Sequence, residues 1–206
     1  MTAKEIEQKR GRPRAFDVDA ALETALALFH ERGYDGVGVA ELSQAMGIKP
    51  PSLYAAFGSK QGLFERAVDL YLARSGGFVR AALDEPGPAA DVIARLFNRA
   101  AEAYTSEGGP LGCLIMDGAR NSAEPAACAF TAGLQEASRK AVIERILRDL
   151  PAEGAAAAAG RLADFVMVTL AGLSAAARDG MPREALREAG AIAAAGFAAA
   201  VAQAGA

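Results

Sequence analysis

The sequence predicts an all-α protein of about nine helices, and two observations lead to this fold class. Hydrophobic residues make up 52% of the 206-residue chain; much of that share is alanine, a strong helix former, while β-branched residues are sparse. Apolar side chains recur every three or four positions from residue 16 onward, with glycine or proline interrupting the pattern. We expect a flexible basic arm at 1–15, a small helical domain at 16–76 and a larger helical domain at 77–206.

Charge and composition exclude several classes of protein. The formal net charge is −3, so any contact with nucleic acid must come from a local basic patch. The two cysteines are too few for a disulfide framework, and the polar amino terminus does not resemble a signal peptide. The longest uncharged apolar run, near 165–177, is too short to cross a bilayer. We therefore expect a cytoplasmic protein with no membrane partner, no metal and no cofactor.

The first predicted helix begins after Asp17, whose carboxylate is a favourable N-cap, with Phe16 as a possible hydrophobic staple. An apolar stripe runs from 21 to 29, and Gly33 ends the helix. His30, the one histidine of the chain, lies off that stripe. Because no cysteine pair or second histidine accompanies it, we interpret His30 as a surface residue and not as a metal ligand.

The residues from 37 to 64 contain two short helical patterns joined by a glycine. The patterns at 39–46 and 51–57 each place apolar residues on one face, and Gly47 suits the left-handed conformation of a sharp turn. Two short helices with such a turn indicate a helix-turn-helix, whose second helix enters the DNA major groove. No Asp or Glu occurs from 43 to 64, as expected of a surface that faces phosphates. An ordinary helical hairpin is the alternative.

The amino-terminal arm is a second basic feature. It ends in the run from Lys9 to Arg14, which resembles the Arg-Gly-Arg-Pro core that lies in A·T-rich minor grooves. A narrow minor groove attracts arginine, and Gly11 permits close approach of the backbone. We interpret Arg12 and Arg14 as minor-groove contacts. A solvated basic tail is the alternative.

Six further helices follow the helix-turn-helix. Ser59 is the cap of the fourth predicted helix, and Gly76-Gly77 interrupts or ends it, which places the domain boundary near 77. Glycine and proline separate the other five, at 89–107, from 111 onward, 125–150, 156–178 and 182–202. The last two are rich in alanine and glycine, whose small side chains let helix axes approach closely.

A set of residues in the first 60 positions carries a family resemblance. It comprises Phe29, Gly33, Tyr34, Leu42, Gly47, Ile48, Ser52, Leu53, Tyr54, Phe57, Ser59 and Lys60. In order and spacing these residues resemble the amino-terminal domain of TetR-family transcriptional regulators, over about 16–71. Two positions depart from the family pattern: Gly38 stands at a cap where Thr or Ser is usual, and Lys49 stands where Ser or a similar residue is usual. Neither threatens the fold, because Gly is a tolerable N-cap and two prolines after Lys49 pre-set the first helical turn.

The resemblance implies DNA contacts for the second short helix and the start of the next. Tyr54 would donate its hydroxyl to one phosphate, and Lys60 would meet another. The remaining implied contacts are Lys49, Pro50, Pro51 and Ser52, of which Pro51 and Ser52 face base edges or thymine methyls. This helix carries few base-reading hydrogen bonds, so sequence discrimination would depend partly on the arm and on DNA shape.

For the larger domain the resemblance implies a homodimeric repressor that a small-molecule effector releases from a palindromic operator in double-stranded DNA. The candidate effector contacts, each more often a plain core residue, are Phe97, Tyr104, Cys113, Met116, Phe130 and Phe165. The last two predicted helices would meet their copy as a four-helix interface. The implied interface residues are Leu162, Phe165, Val166, Leu170, Leu173, Ile192 and Phe197.

Three other functions are alternatives for this sequence. One is an effector-independent DNA-binding protein. Another is a thiol-based repressor: Gly112-Cys113-Leu114 resembles a motif of a family subset that includes regulators responding to electrophiles or oxidants, and a helix start would favour a thiolate at Cys113. A buried cysteine acting as a small hydrophobe is the competing interpretation. An enzyme is disfavoured, because the sequence has no Gly-rich phosphate loop and no metal-spaced His or Cys cluster.

Overall fold

The computed structural model describes residues 16–150 and 154–205. Within these ranges all regular structure is helical, with ten α-helices and one π-helical turn. The all-α prediction is therefore confirmed. The arm residues Arg12 and Arg14 lie outside the described residues, so their predicted role stays a prediction.

Four helices build the amino-terminal domain: α1 (Val18–Arg32), α2 (Val39–Ala45), α3 (Pro50–Phe57) and α4 (Lys60–Tyr71). Asp17 caps α1 as predicted, since its Oδ1 accepts hydrogen bonds from the two backbone amides of Asp19 and Ala20. Ser59 caps α4 by accepting the amide of Gly62 at 2.9 Å. Both caps satisfy amides that have no partner within their own helix.

The core of this domain is aromatic. Phe64 of α4 is fully buried, and its ring meets the rings of Phe29 and Tyr34 edge-on, with centroids 5.1 and 5.2 Å away. Edge-to-face pairs at this distance add stability beyond the area that they bury. These contacts join α1 to α4 and provide the platform on which α2 and α3 lie.

Helical structure continues on both sides of Gly76-Gly77. The chain passes from α4 into a π-helical turn at Leu72–Gly76 and then into α5 (Phe78–Leu83). A Cβ at Gly76 would lie 2.4 Å from the ring of Tyr71, so glycine is needed for the chain to pass that ring. The extra helix was not predicted, because a glycine pair is usually a break. The domain boundary near 77 stays a prediction.

Five helices form the larger domain: α6 (Ala89–Tyr104), α7 (Leu114–Asp117), α8 (Pro125–Leu147), α9 (Ala155–Arg178) and α10 (Arg183–Ala204). α6 packs against α9 and α10, and α8 packs against α9. Gly190 allows α10 to approach α6, since a Cβ there would lie only 3.2 Å from Cβ of Phe97. The alanine run at 155–159 belongs to α9.

A buried arginine closes one end of this domain. Arg145 of α8 is 4% exposed; it donates to the carbonyl of Gly87 and pairs with Asp149 at 3.4 Å. Asp149 in turn accepts the amide of Ala89, the first residue of α6. Pro88 at the N-cap makes no side-chain capping bond. A carboxylate from the end of α8 therefore supplies the missing cap.

Candidate nucleic-acid interface

The turn between α2 and α3 has the geometry expected of a helix-turn-helix. Gly47 adopts φ 66°, and the amide of Ile48 donates to the carbonyl of Ser43 at 2.9 Å. Ile48 packs against the hydrophobic core. Lys49 makes no side-chain cap, and prolines fill the first turn of α3. The proline start replaces the cap that the sequence lacks.

The outward face of α3 presents most of the expected DNA contacts. Leu53 and Phe57 are buried and anchor the helix, whereas Tyr54 is 50% exposed. The other expected contacts on this surface are fully or partly exposed, namely Lys49, Pro50, Pro51 and Ser52. A helix anchored on one face and polar or small on the other is able to enter a groove without losing its packing.

Lys60 does not project freely from the start of α4. Its ammonium lies 4.1 Å from the centroid of the Tyr34 ring. Burial lowers the pKa of Lys60, while the charges of Asp35 and Glu124 act in the opposite direction. A cation over an aromatic face is stabilised by about 0.5–1 kcal/mol. A phosphate would have to draw Lys60 away from this ring.

Arg66 is a basic residue beside α3 that sequence reasoning missed. It is exposed, with its guanidinium 5.0 Å from the centroid of the Phe57 ring and 3.5 Å from the carbonyl of Ala56. A single arginine in a helical pattern gives no signal of this kind. Its proximity to the end of α3 follows only from how α4 packs. Arg66 adds positive charge to the surface that lacks carboxylates.

Comparison with known proteins identifies this arrangement. Residues 21–67 match the family model of bacterial regulatory proteins, tetR family. The chain is 35% identical to the HTH-type transcriptional repressor BdcR of Escherichia coli (strain K12), over 90% of this chain and 91% of that one. The chain belongs to the TetR family. It is also 32% identical to ComR, an HTH-type transcriptional repressor of the same strain, over 89% of this chain and 90% of that one.

A solved TetR-family structure extends the similarity to the fold. A cysteine mutant of the regulator CifR, complexed with 26 bp double-strand operator DNA, has a TM-score of 0.80 and 38% identity over 89% of this chain and 98% of that chain. These relatives are transcriptional regulators. The protein is a DNA-binding transcriptional repressor of the TetR family, and the predicted function class is confirmed.

The structure corrects the prediction for His30. It is 8% exposed, stacked edge-on against Tyr71 at 5.1 Å between ring centroids. Its Nε2 donates to the carbonyl of Gly112 at 3.1 Å, which fixes the proton on Nε2 in the neutral ring. Burial is the main cause that lowers the pKa of His30. The residue was expected at the surface because it lies off the apolar stripe of α1. The loop that covers it comes from 82 positions further along the chain.

We expect wild-type stability to fall as the pH decreases below about 6.5, the ordinary pKa of histidine. The unfolded chain takes up a proton there while folded His30, with its lowered pKa, stays neutral, so protonation favours unfolding. Because the chain has one histidine, a His30→Gln variant should lose this part of the dependence. Urea unfolding of both proteins between pH 7.5 and 5 measures it. Parallel curves for the two would contradict the burial of a neutral imidazole.

The six candidate effector residues do not share one cavity. Phe97 and Tyr104 are at most 1% exposed, and Cys113 and Met116 are also buried, whereas Phe130 is partly buried. Phe165 lies instead in a surface groove between α9 and α10. In the sequence, the apolar side chains of these six residues are compatible with a core position and with a pocket position alike. Phe165 is separated from the others because α9 turns its opposite face to the core.

Cys113 lies in the core at the N-cap of α7. It is 5% exposed, and its amide donates to Oγ of Ser174 at 2.7 Å. Burial raises the pKa of the Cys113 thiol. The thiolate expected at Cys113 is therefore disfavoured. Helix α7 has only four residues, and burial raises the pKa of the thiol more than the nearby backbone amides lower it. Cys128 is partly buried, with Sγ near the carbonyls of Ala119 and Ser122.

We expect maleimide to modify Cys113 at least about tenfold more slowly in the folded protein than in guanidinium, because a buried thiol with a raised pKa offers little thiolate. A Cys128→Ser variant leaves Cys113 as the one thiol to follow by mass spectrometry. Equal rates in the folded and unfolded states would contradict this expectation and favour the thiol-based repressor.

Most of the expected interface residues are buried within the single chain. Val166 and Leu170 have no exposed surface, and three more are at most 9% exposed, namely Leu162, Leu173 and Phe197. These five are mostly buried in the single chain, although Leu162 and Phe197 also line the groove between α9 and α10, so their place in an interface stays a prediction. Phe165 and Ile192 are 40% and 76% exposed and remain free to meet a partner. In alanine-rich helices the inward face cannot be told from the outward face by hydrophobicity.

Proposed function

We propose that the protein acts as a homodimer that represses transcription from a palindromic operator in bacterial cytoplasm, and that a small-molecule effector releases it. A single helix-turn-helix rarely supplies useful specificity, whereas a two-fold pair reads two half-sites about one helical turn apart or somewhat more. Repression agrees with the names of the relatives BdcR and ComR. We assign no enzymatic reaction to it.

An exposed apolar stripe on α9 and α10 supports the homodimer. It includes Phe165 and Val168 on α9, 40% and 72% exposed, and Ile192 on α10, 76% exposed. A groove of about 560 Å³ between the two helices continues it, with Phe165 and Gly196 in its lining. Exposed apolar surface of this extent marks an interaction site. Because the stripe combines large knobs with glycine and alanine, a second copy of the same two helices fits against it.

The length and apolar composition of α9 and α10 would also allow each to cross a membrane. Core helices of soluble proteins pass the same test, and both helices pack within the domain, α9 against α6 and α8 and α10 against α6. The stripe is therefore assigned to a partner protein and not to lipid.

A cavity of about 200 Å³ supports effector binding. It lies between the π-helical turn, α5, α7 and α8, and its lining includes Leu72, Val79, Arg80, Leu83, Ile115, Leu134 and Ser138. A cavity of 150 Å³ holds a benzene molecule, so this one fits a small apolar compound. Ser138 and Arg80 offer one or two polar contacts. π-Helical turns are frequent at functional sites.

Sequencing the duplexes that the purified protein retains from a random library tests the core of this proposal. A palindromic consensus is expected. Small apolar compounds are then added to the complex with the selected duplex, and loss of binding is followed by fluorescence anisotropy. Retention of DNA with every compound would favour the effector-independent alternative. A non-palindromic consensus would overturn the homodimeric repressor.

Substitutions on the exposed face of α3 should separate residues that set the affinity for DNA from residues that set its sequence preference. Tyr54→Phe removes a neutral hydroxyl expected on a phosphate, so it should weaken all duplexes alike and leave the salt slope unchanged, because no counterion is released by a neutral donor. Ser52→Ala removes a group expected on base edges, so it should alter the selected consensus. Repeating the selection and the salt titration with both variants distinguishes the roles. A changed consensus for Tyr54→Phe would reverse the assignment.

A further inference from the structure

One arginine of the larger domain holds the carboxyl end of α1. Arg178, in the last turn of α9, donates from Nη1 to the carbonyl of His30 and from Nη2 to the carbonyl of Glu31, both at 2.9 Å. Nη1 also lies 3.4 Å from the carbonyl of Leu111, in the loop before α7. The last carbonyls of a helix have no helical partner and carry the negative end of its dipole. Arg178 therefore caps α1 from another domain and joins it to the loop.

Gly112 leaves the space that this arginine occupies. It has φ 81°, and a Cβ there would lie 2.6 Å from Cγ of Arg178 and 3.1 Å from the carbonyl oxygen of Ser174. The carbonyl of Gly112 accepts from Nε2 of His30, and its amide donates to the carbonyl of Tyr104 at 2.9 Å. The loop before α7 is thus bonded to α1 on one side and to α6 on the other.

Ser174 lies one turn before Arg178 on α9 and holds both ends of α7. Its Oγ accepts the amide of Cys113, at the N-cap of α7, and donates to Oδ2 of Asp117, the last residue of α7. Ser174 has no exposed surface. A movement of α7 therefore acts on the same part of α9 that carries the arginine.

The DNA-binding domain has a second attachment on the other side of α7. The amide of Tyr34 donates to the carbonyl of Gly118 at 2.6 Å. The carboxylate of Asp35 accepts from Oγ of Ser122 at 2.8 Å and from the amide of Ala123 at 2.7 Å. These hydrogen bonds lower the pKa of the Asp35 carboxyl group. The end of α1 is thus tied to the larger domain both before and after α7.

The junction is open beside the arginine. A crevice of about 540 Å³ lies between α1 and the loop before α7, with Glu31, Leu111 and Arg178 in its lining. Apolar packing does not fill this side of the junction. On this side, the hydrogen bonds of Arg178 hold the end of α1 against the larger domain.

We propose that Arg178 is a positioning residue for operator binding, which fixes the orientation of the DNA-binding domain and so the separation of the two recognition helices in the dimer. This role requires the homodimer proposed above. Arg178 acts through α1, which packs along α4, and not through contact with DNA. Without its donors two helix-end carbonyls lose their cap, and α1 gains freedom to rotate against the larger domain.

Arg183 provides a matched control for a loss of stability alone. It donates from Nε to Oγ of Thr105 and from Nη2 to the carbonyl of Thr105, at 2.9 and 2.7 Å. Thr105 is the C-cap of α6, so Arg183 also caps a helix end, but within the larger domain. Arg183→Gln and Arg178→Gln each remove one arginine cap. Of the two, only Arg178→Gln removes a tie between the DNA-binding domain and the larger domain.

The experiment measures binding to the duplex that the wild type selects and to versions with its half-sites one or two base pairs further apart. The wild type should lose about tenfold or more in affinity with each insertion, because its recognition helices are held at one separation. Arg178→Gln should bind the selected duplex about tenfold more weakly and discriminate less between spacings. Arg183→Gln should follow the wild type. Arg178→Lys, which keeps a cation and three donors, should recover part of the discrimination.

Circular dichroism and gel filtration establish that each variant is folded and has the wild-type oligomeric state. Unchanged discrimination in Arg178→Gln would overturn the positioning role. Equal loss for all spacings with a reduced salt slope would also overturn it, since that pattern indicates a direct phosphate contact. A wild type indifferent to spacing would instead overturn the homodimer itself, and the positioning role with it. The wild-type measurement therefore distinguishes the two failures.

Discussion

A Phe165→Glu, Ile192→Glu double variant is expected to be a folded monomer that loses its operator. Both side chains are exposed in the single chain, so the carboxylates disturb no core, but two copies would bury four charges against an apolar stripe. Joining two half-site contacts in one molecule raises affinity by about 10²–10⁴. We expect a fall of at least about 100-fold in affinity for the palindrome. Light scattering and anisotropy titration measure the mass and the affinity.

Leu147→Glu is the matched control for this variant. Leu147 ends α8 and is 38% exposed, almost the same as Phe165, but it lies outside the stripe on α9 and α10. This substitution adds one carboxylate, half the charge of the double variant, at nearly the exposure of Phe165, and it should leave both mass and affinity unchanged. A double variant that remains dimeric would place the interface elsewhere on the molecule. A monomeric double variant that still binds the full palindrome tightly would refute the link between dimerisation and operator binding.

The helix-turn-helix was predictable because its signals are local. The expected helices at 39–46 and 51–57 differ by one residue each from α2 and α3. Glycine at a positive φ and prolines in a first helical turn determine the backbone without help from the rest of the chain. The exposed positions of α3 follow from the two apolar anchors, Leu53 and Phe57. Sequence reasoning therefore located both the motif and its outward face.

The parts that sequence reasoning missed depend on contacts between distant segments. His30 is buried by Tyr71 and the loop at Gly112, and Lys60 is drawn to the ring of Tyr34. Arg178 reaches the end of α1 across 148 positions. None of these side chains differs in local pattern from an ordinary surface residue. Packing between segments that are distant in the sequence decides their roles.

The helices α9 and α10 show a different limit. Alanine and glycine dominate them, so neither helix has one strongly apolar face, and the large residues occur on more than one side. Phe197 and Phe165 would be equally good candidates for an interface by composition. The fold buries Phe197 to 1% exposure and leaves Phe165 at 40%. Sequence reasoning proposes an interaction surface on these helices, but it does not tell which of the large residues the fold leaves exposed.

Phe64→Ala is expected to cause a large loss of stability in the DNA-binding domain. The side chain is fully buried among Phe29 and Tyr34 of the same domain, and its ring also lies 6.4 Å from that of Phe130 on α8. Truncating a buried phenylalanine to alanine costs about 3–5 kcal/mol. That cost is a large fraction of the free energy of unfolding of a typical domain, which is about 5–15 kcal/mol. Urea unfolding followed by circular dichroism measures the loss.

Because Phe64 contacts both domains, its loss should also weaken their coupling. Phe64→Leu is the control: it keeps most of the buried volume and should cost distinctly less than Phe64→Ala. In Phe64→Ala we expect the DNA-binding domain to unfold at lower urea than the larger domain, giving two transitions where Phe64→Leu gives one. Operator affinity, measured at increasing urea concentration, should be lost at the first transition. The reason is that α3 packs on the aromatic core that Phe64 holds together. Similar midpoints for the two variants would show that the site collapses around the cavity, and that the other aromatic contacts are sufficient to hold α1, α4 and α8 together.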